Sequence, residues 1–125
     1  MRPATLKQVA DLTLAGESFS YGLRNFLDEF FAQPTPAALD AEPPMLDRAV
    51  DQGAVLDAYL AATAESLAGT NGLETPPWTR KPERALRRPW FAVPWVGMRA
   101  VLLLESPAAF RARNLFVTAN ALSRA

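Results

Sequence analysis

Residues 18–34, SFSYGLRNFLDEFFAQP, carry the strongest structural signal in the chain. Large apolar side chains recur there at helical spacing and fall on one face: Leu23, Phe26, Leu27, Phe30 and Phe31. A stripe of this width predicts an amphipathic helix whose apolar face lies in a core. Ser18 or Ser20 can cap the start of this helix, and Pro34 ends it. The fold is therefore expected to be built from helices.

Further helices are predicted on both sides of this segment. Residues 6–16, LKQVADLTLAG, place apolar side chains in helical register before Gly16, namely Leu6, Val9, Ala10 and Leu14. Thr35 and Pro36 predict a short turn of helix, and a second turn is expected after Pro44. Residues 54–72, AVLDAYLAATAESLAGTNG, predict a long helix, which we expect to be central because its alanines permit close packing.

The second half of the chain has a different composition, rich in proline and tryptophan. Residues 74–97 hold all three tryptophans and predict an extended loop, with one short helix within residues 82–88. Residues 96–104 form an apolar run that is expected to be buried, more consistent with a helix than with a strand. Ser106 is predicted to cap a final helix over residues 107–114, whereas the tail fits either a strand or a helix. These patterns predict a mainly α protein: one compact helical domain, 1–125, with a Pro/Trp-rich extended loop.

Charge divides the chain into two parts. Residues 1–75, the acidic helical part, carry a net charge of −7, and residues 76–125, the basic Trp/Pro-rich part, carry +7. If the two parts pack together, the opposite charges can pair within the chain. If they lie on different faces, the basic part can attract an acidic partner. The sequence leaves both arrangements open.

Composition narrows the possible chemistry. The chain has no histidine and no cysteine, so it lacks the commonest acid–base side chain and any thiolate ligand. Several acids stand near prolines and helix starts and are expected to be solvated caps: Asp40, Glu42, Asp47, Asp51 and Asp57. We therefore expect no cofactor, no metal and no enzymatic activity, with a carboxylate-based enzyme as a remote alternative. No apolar run reaches the roughly 20 residues of a membrane span, and the start lacks a secretory signal, so a cytoplasmic location is expected.

The remaining candidate site is residues 87–95, RRPWFAVPW. Arginine and tryptophan dominate many protein-binding surfaces, so we predict a partner-binding patch of Arg87, Arg88, Trp90, Phe91 and Trp95, with Arg111, Arg113 and Asn114 as secondary members. The same residues can bind phosphates and stack on bases in a nucleic acid. Alternatively, Trp78, Trp90 and Trp95 fold back over the helices as core, and the later arginines pair with the acidic part.

Several segments together resemble a group of small bacterial proteins encoded beside nucleotidyltransferase-like proteins: SYGLRNFLDEFF, EPPML, DAYLAATAESLA, PPW with RRPWF, and ESPAAFRARNLFVTANALSRA. That arrangement is similar to a toxin–antitoxin pair, in which the small protein is the antitoxin. The resemblance implies a cytoplasmic protein that binds a partner toxin enzyme and occludes its site. The expected function is therefore a protein-interaction module of antitoxin type, and the alternative is a nucleic-acid-binding accessory protein.

Overall fold

The helices predicted in the first half are present in the computed structural model, which describes residues 2–92, 98–119 and 121–122. Helix α1 spans Leu6–Leu14 and helix α2 spans Phe19–Ala32, and the two pack against each other. Thr5 and Ser18 cap them, each accepting a backbone N–H bond through its side-chain oxygen. Both caps satisfy an amide that would otherwise lack a partner at the helix start.

The predicted apolar stripes are buried except at their outer edges. Leu23, Phe26, Leu27 and Phe30 lie in the core, as expected, whereas Phe31 is partly exposed. Leu14, the last apolar residue of the α1 pattern, is 43% exposed. The core prediction was wrong for Phe31, because it directly follows Phe30 and points about 100° away from it around the helix.

Helix α4, Gly53–Thr70, is the central helix of the fold, as its alanines predicted. It contacts the Pro-rich segment, the last helix and a short strand, so it is buried on several sides. A short helix α3, Ala37–Asp40, precedes it. The second helical turn expected after Pro44 is replaced by hydrogen-bonded turns, in which the amides of Ala49 and Val50 both donate to the Leu46 carbonyl.

The basic part begins with two short 3-10 helices, Pro77–Arg80 and Pro82–Arg84, the second of which starts at the proline predicted to open a short helix. Strand β1, Trp90–Phe91, then pairs in parallel with strand β2, Leu115–Phe116. Between them lie α5, Arg99–Glu105, and α6, Ala108–Arg111. Six α-helices and two short strands among the described residues confirm the mainly α fold class.

Two predictions for this region were wrong. The apolar run was expected to be buried, but in α5 only Leu102 is buried, because three successive leucines point in different directions around a helix. Ser106 does not cap α6; its hydroxyl lies against the carbonyl of Leu102 and accepts the Val117 amide at 2.8 Å. Ser106 therefore joins the end of α5 to the residue after β2.

The interior contains two apolar clusters that share α4. The larger one joins α1, α2, α3 and one face of α4, together with Trp78. The smaller one joins the opposite alanines of α4 to α6 and β2, with Phe110 at its centre. Tyr59 and Leu122 pack against both clusters, and the Tyr59 ring meets Phe110 edge-on at a centroid distance of 5.0 Å. The seam between the clusters therefore lies beside Tyr59.

Candidate functional site

Strand β1 separates Trp90 from Phe91, two of the aromatic residues that were predicted to form one patch. Successive side chains of a strand point to opposite faces. Trp90 lies against the smaller cluster and lines a groove beside α2 and α4. Phe91 stacks on Phe116, with ring centroids 5.1 Å apart, and the guanidinium of Arg99 lies 4.9 Å from the Phe91 ring centroid. The predicted patch is thus divided between two surfaces.

The other predicted residues also have different environments. Arg87, Arg88 and Arg111 are exposed, and none forms an ion pair with another described residue. Trp95 lies outside the described residues. Trp78, for which a core position was one alternative, is buried and donates its Nε1–H to the Leu39 carbonyl at 3.0 Å.

Arg113 and Asn114 serve the fold of this chain. Arg113 is 6% exposed, and its guanidinium donates to the carbonyls of Ala109 and Thr79 and to the carboxylate of Glu65 at 2.8 Å. Asn114 has a positive φ of 63° and donates its side-chain amide to the Leu86 carbonyl at 2.7 Å. Their donors are engaged within the molecule, so neither residue belongs to the exposed surface considered below.

The most exposed apolar feature is a surface on α5, which sequence analysis placed in the core. We define the α5 surface as the exposed side chains of Met98, Val101, Leu103 and Leu104, of which Leu104 is 83% exposed and Leu103 is 45% exposed. Exposed large apolar side chains on adjoining turns are more informative than a single one, because clustered apolar surface marks interaction sites. The signal for this exposure was present in the sequence, because three consecutive leucines span about 200° around a helix and cannot all face the core.

Cations stand near this surface in the chain. Arg99 belongs to α5 itself, Arg87 and Arg88 lead into β1, and Arg111 ends α6. Helix α5 contacts β2, which pairs with β1. Each of these arginines is exposed and has no ion-pair partner among the residues described by the structure. Helix α5 itself carries one cation, Arg99, and one exposed anion, Glu105.

A second concave feature is the groove that Trp90 lines, which we call the Trp90 groove. It has a volume of about 320 Å³ and lies between α2, the start of α4 and β1. Its apolar lining consists of Phe19, Leu23, Leu27, Val55, Leu56, Tyr59, Trp90 and Ala121, and its polar lining consists of Ser20, Arg24 and Gln52. Burial raises the pKa of the Tyr59 hydroxyl, so this phenol stays protonated at neutral pH.

A buried ion cluster, which sequence analysis missed, joins the acidic and basic parts. Arg84 is fully buried, lies 3.6 Å from Asp57 and 3.3 Å from Glu42, and also donates to the Pro43 carbonyl. Lys81 donates to Glu42 at 2.8 Å. Nothing in the local sequence distinguishes Arg84 from the exposed arginines around it.

Asp57 corrects the prediction that the acids of this region are solvated caps. Its carboxylate is fully buried and accepts the backbone amides of Leu46 and Asp47 at 2.7 and 2.9 Å. Burial raises the pKa of Asp57, while these amides and Arg84 act in the opposite direction. Glu42 differs: the hydrogen bond from Lys81, supported by Arg84, lowers its pKa. Asp57 therefore fixes the turn before α4.

Metal sites and membrane-spanning helices were sought in residues 2–92, 98–119 and 121–122. Within them, no three His, Cys, Asp or Glu side chains come together as a possible metal site. No helix there is both long and apolar enough to span a bilayer.

Comparison with known proteins gave no match. Neither the models of protein families, nor the curated proteins, nor the solved structures include one that is significantly similar to this chain. The antitoxin-like assignment remains a prediction.

Proposed function

We propose that this protein is a binding module that docks another protein through the α5 surface. The observation that carries the proposal is the exposure of Leu104 and Leu103 at 83% and 45%, next to partly exposed Val101 and Met98. Burying such side chains at an interface releases about 25 cal/mol per Å² of apolar area. The partner is expected to present an apolar surface that packs against these side chains and excludes water from the contact.

The chemistry of the surface favours a protein over a nucleic acid. Bases bind single-strand proteins by stacking on aromatic rings, whereas the exposed side chains of α5 are aliphatic. Of the described aromatic residues in the predicted patch, Trp90 lines the groove and Phe91 is stacked on Phe116. The exposed arginines alone would suit phosphates, so nucleic-acid binding is an alternative outcome of the experiment below.

The partner class rests on the sequence resemblance to antitoxin-like proteins. We infer that the partner is a nucleotidyltransferase-like toxin in the cytoplasm, and that the chain acts by occluding its site without turnover. The mechanism without turnover is supported by the composition, because the chain lacks histidine and cysteine, two common catalytic side chains. Occlusion requires a preformed surface, and Leu102 anchors α5 to the fold by its complete burial.

The resemblance implies that a nucleotidyltransferase-like protein is encoded beside this chain, and the test measures binding to that protein by calorimetry with purified components. Leu104→Gln and Leu103→Gln should each weaken binding by about tenfold or more, since each removes apolar area from the contact. Leu14→Gln on α1 is the matched control, because Leu14 is 43% exposed and Leu103 is 45% exposed. The control should bind as tightly as the wild type.

Two further readouts separate the outcomes. Adding wild-type protein should inhibit the partner's enzymatic activity. Adding the Leu104→Gln variant should leave that activity uninhibited. Affinity should change little with salt, whereas phosphate contacts would make it fall steeply. Absence of binding to the encoded partner would refute the antitoxin assignment, and equal binding by all three variants would refute the α5 surface. Tight, strongly salt-dependent binding to single-stranded DNA or RNA would favour the alternative.

A further inference from the structure

The Trp90 groove is separate from the proposed docking surface and has properties of its own. It follows the seam between the two apolar clusters, where α2 and the first turns of α4 diverge. Its volume of about 320 Å³ is at the lower end of the range of small-molecule sites, which is roughly 300–1,000 Å³. That volume admits a small molecule but not a helix or a folded loop of another protein.

The described polar lining of the groove includes a cation but no anion. Among the described residues of the lining, Arg24 is the only cation, and none is acidic. Arg24 is exposed and forms no ion pair with any other described residue. Ser20 lies one helical turn before Arg24, and so both belong to the same face of α2. A ligand in the groove would therefore meet a guanidinium and a hydroxyl at one edge.

The opposite wall comes from the start of α4, where the exposed Asp51 directly precedes Gln52. Gln52 lines the groove and precedes α4, an 18-residue helix that has no side-chain cap and no acidic residue in its first turn. The amide dipoles of a helix favour negative charge near its start. The remaining lining is aliphatic and aromatic, with Leu23 and Leu56 from the two helices and Trp90 from β1.

We propose that the Trp90 groove binds a small apolar carboxylate, with the hydrocarbon part between Leu23, Leu56 and Trp90 and the carboxylate at Arg24. A planar guanidinium forms paired hydrogen bonds with a carboxylate, and a hydroxyl such as that of Ser20 can add a third. A neutral ligand of the same length would leave Arg24 unused. The two functions lie on opposite faces of β1, so this site does not depend on the docking surface.

The experiment compares octanoate with octan-1-ol, which has the same chain length and no charge. Calorimetry gives the affinities, and amide chemical shifts in ¹⁵N-labelled protein give the location. Octanoate should bind saturably and shift the amides of Ser20, Leu23, Val55 and Leu56. Octan-1-ol should bind more weakly.

Arg24→Gln should weaken octanoate binding by about tenfold or more, because the paired charge-assisted hydrogen bonds to the carboxylate are lost, and should leave octan-1-ol binding unchanged. Arg111→Gln is the matched control, because Arg111 is an exposed arginine outside the groove lining. Far-UV circular dichroism verifies that both variants fold.

Three results would overturn the proposal: no saturable binding of octanoate, equal octanoate affinity in Arg24→Gln and the wild type, or shifts confined to residues outside the groove. Leu104→Gln should bind octanoate normally. This variant therefore distinguishes failure of the groove proposal from failure of the α5 proposal.

Discussion

Arg84 is a charged side chain in a fully buried position, where arginine rarely occurs unless it is paired. Its guanidinium is completely buried and lies 5.0 Å from the centroid of the Trp78 ring, beside Asp57 and Glu42. Within the described residues, its Nε and Nη1 have no hydrogen-bond partner. A buried charge is tolerated only where opposite charge lies nearby, and so removal of one member of such a pair leaves the other uncompensated.

We expect Arg84→Leu to lower the free energy of unfolding by about 3–5 kcal/mol, because Asp57 then remains buried without its countercharge. Arg80→Leu is the control, since Arg80 is exposed and has no ion pair among the described residues. That variant should change stability by about 0.5 kcal/mol or less. Urea unfolding of the two variants measures the difference, and similar losses in both would contradict a specific role for the buried cluster.

Glu42 and Asp57 are expected to affect stability in opposite directions as pH changes. Because the pKa of Glu42 is lowered in the native protein, the unfolded chain binds its proton more tightly. Its stabilising contribution is complete above the unfolded pKa of about 4.3 and is lost as pH falls through the lower native value. For Asp57 the native pKa is raised, so its ionisation costs stability as pH rises from about 3.9 toward that native value.

The Glu42 effect can be isolated with Glu42→Gln. At neutral pH this variant should be less stable than the wild type, because it lacks the charged partner of Lys81 and Arg84. The difference should shrink as pH falls from about 5 to about 3, where wild-type Glu42 also becomes neutral. Urea unfolding across this range measures it. A difference that stays constant with pH would show that ionisation of Glu42 is not the cause.

The start of α4 depends on a close approach between two backbone segments. A Cβ atom on Gly53 would lie 2.0 Å from the carbonyl oxygen of Leu46 and 2.8 Å from the amide nitrogen of Asp47. That amide and the amide of Leu46 are donors to Asp57, one turn further along the helix. A side chain at residue 53 would therefore displace the turn that Asp57 holds.

Gly53→Ala should destabilise the protein by about 1–3 kcal/mol or more, because the contacting atoms are backbone and cannot rotate away. Gly69→Ala in the same helix is the control, since a Cβ atom on Gly69 would meet no atom of another described segment within 4 Å. That change should stabilise the protein by about 0.5–1 kcal/mol, the usual gain of alanine over glycine in a helix. Thermal unfolding of both variants tests the prediction, which fails if both shift the midpoint in the same direction.

Across the molecule, ion pairs join the acidic and basic parts of the chain. Lys81 and Arg84 pair with Glu42, Arg84 pairs with Asp57, and Arg113 pairs with Glu65. The cations of the basic part are thus divided between internal pairs and exposed arginines. Of the two arrangements left open by the charge pattern, pairing within the chain is present in these ion pairs, while Arg87, Arg88 and Arg111 are exposed.

Because both apolar clusters share α4, we expect them to unfold together. Trp78 belongs to the larger cluster and Trp90 packs against the smaller one, so each reports on one cluster. Variants that retain only one of these tryptophans, with the other and Trp95 changed to phenylalanine, should give the same urea midpoint by fluorescence and by circular dichroism. Two separate midpoints would show that the clusters are independent units.

The helices of the first half were predictable because their signals are local. The spacing of Leu23, Phe26, Leu27 and Phe30 predicted the buried face of α2, and Ser18 and Gly16 mark boundaries that the structure retains. The same local logic predicted a helix at α5. The prediction of burial from the apolar pattern failed at Phe31 and Leu104, whose side chains are exposed although their segments are helical.

Burial and pairing depended on tertiary contacts, because they are properties of segments distant in sequence. Arg84 is buried and Arg88 is exposed although both stand in the same arginine-rich stretch, since only Arg84 meets Glu42 and Asp57 from the acidic part. Trp90 and Phe91 are adjacent in sequence and are separated by the two faces of β1, a strand that exists through its pairing with β2. Periodicity establishes which residues form helices. The packing of those helices determines which charged side chains are buried and which apolar side chains remain exposed.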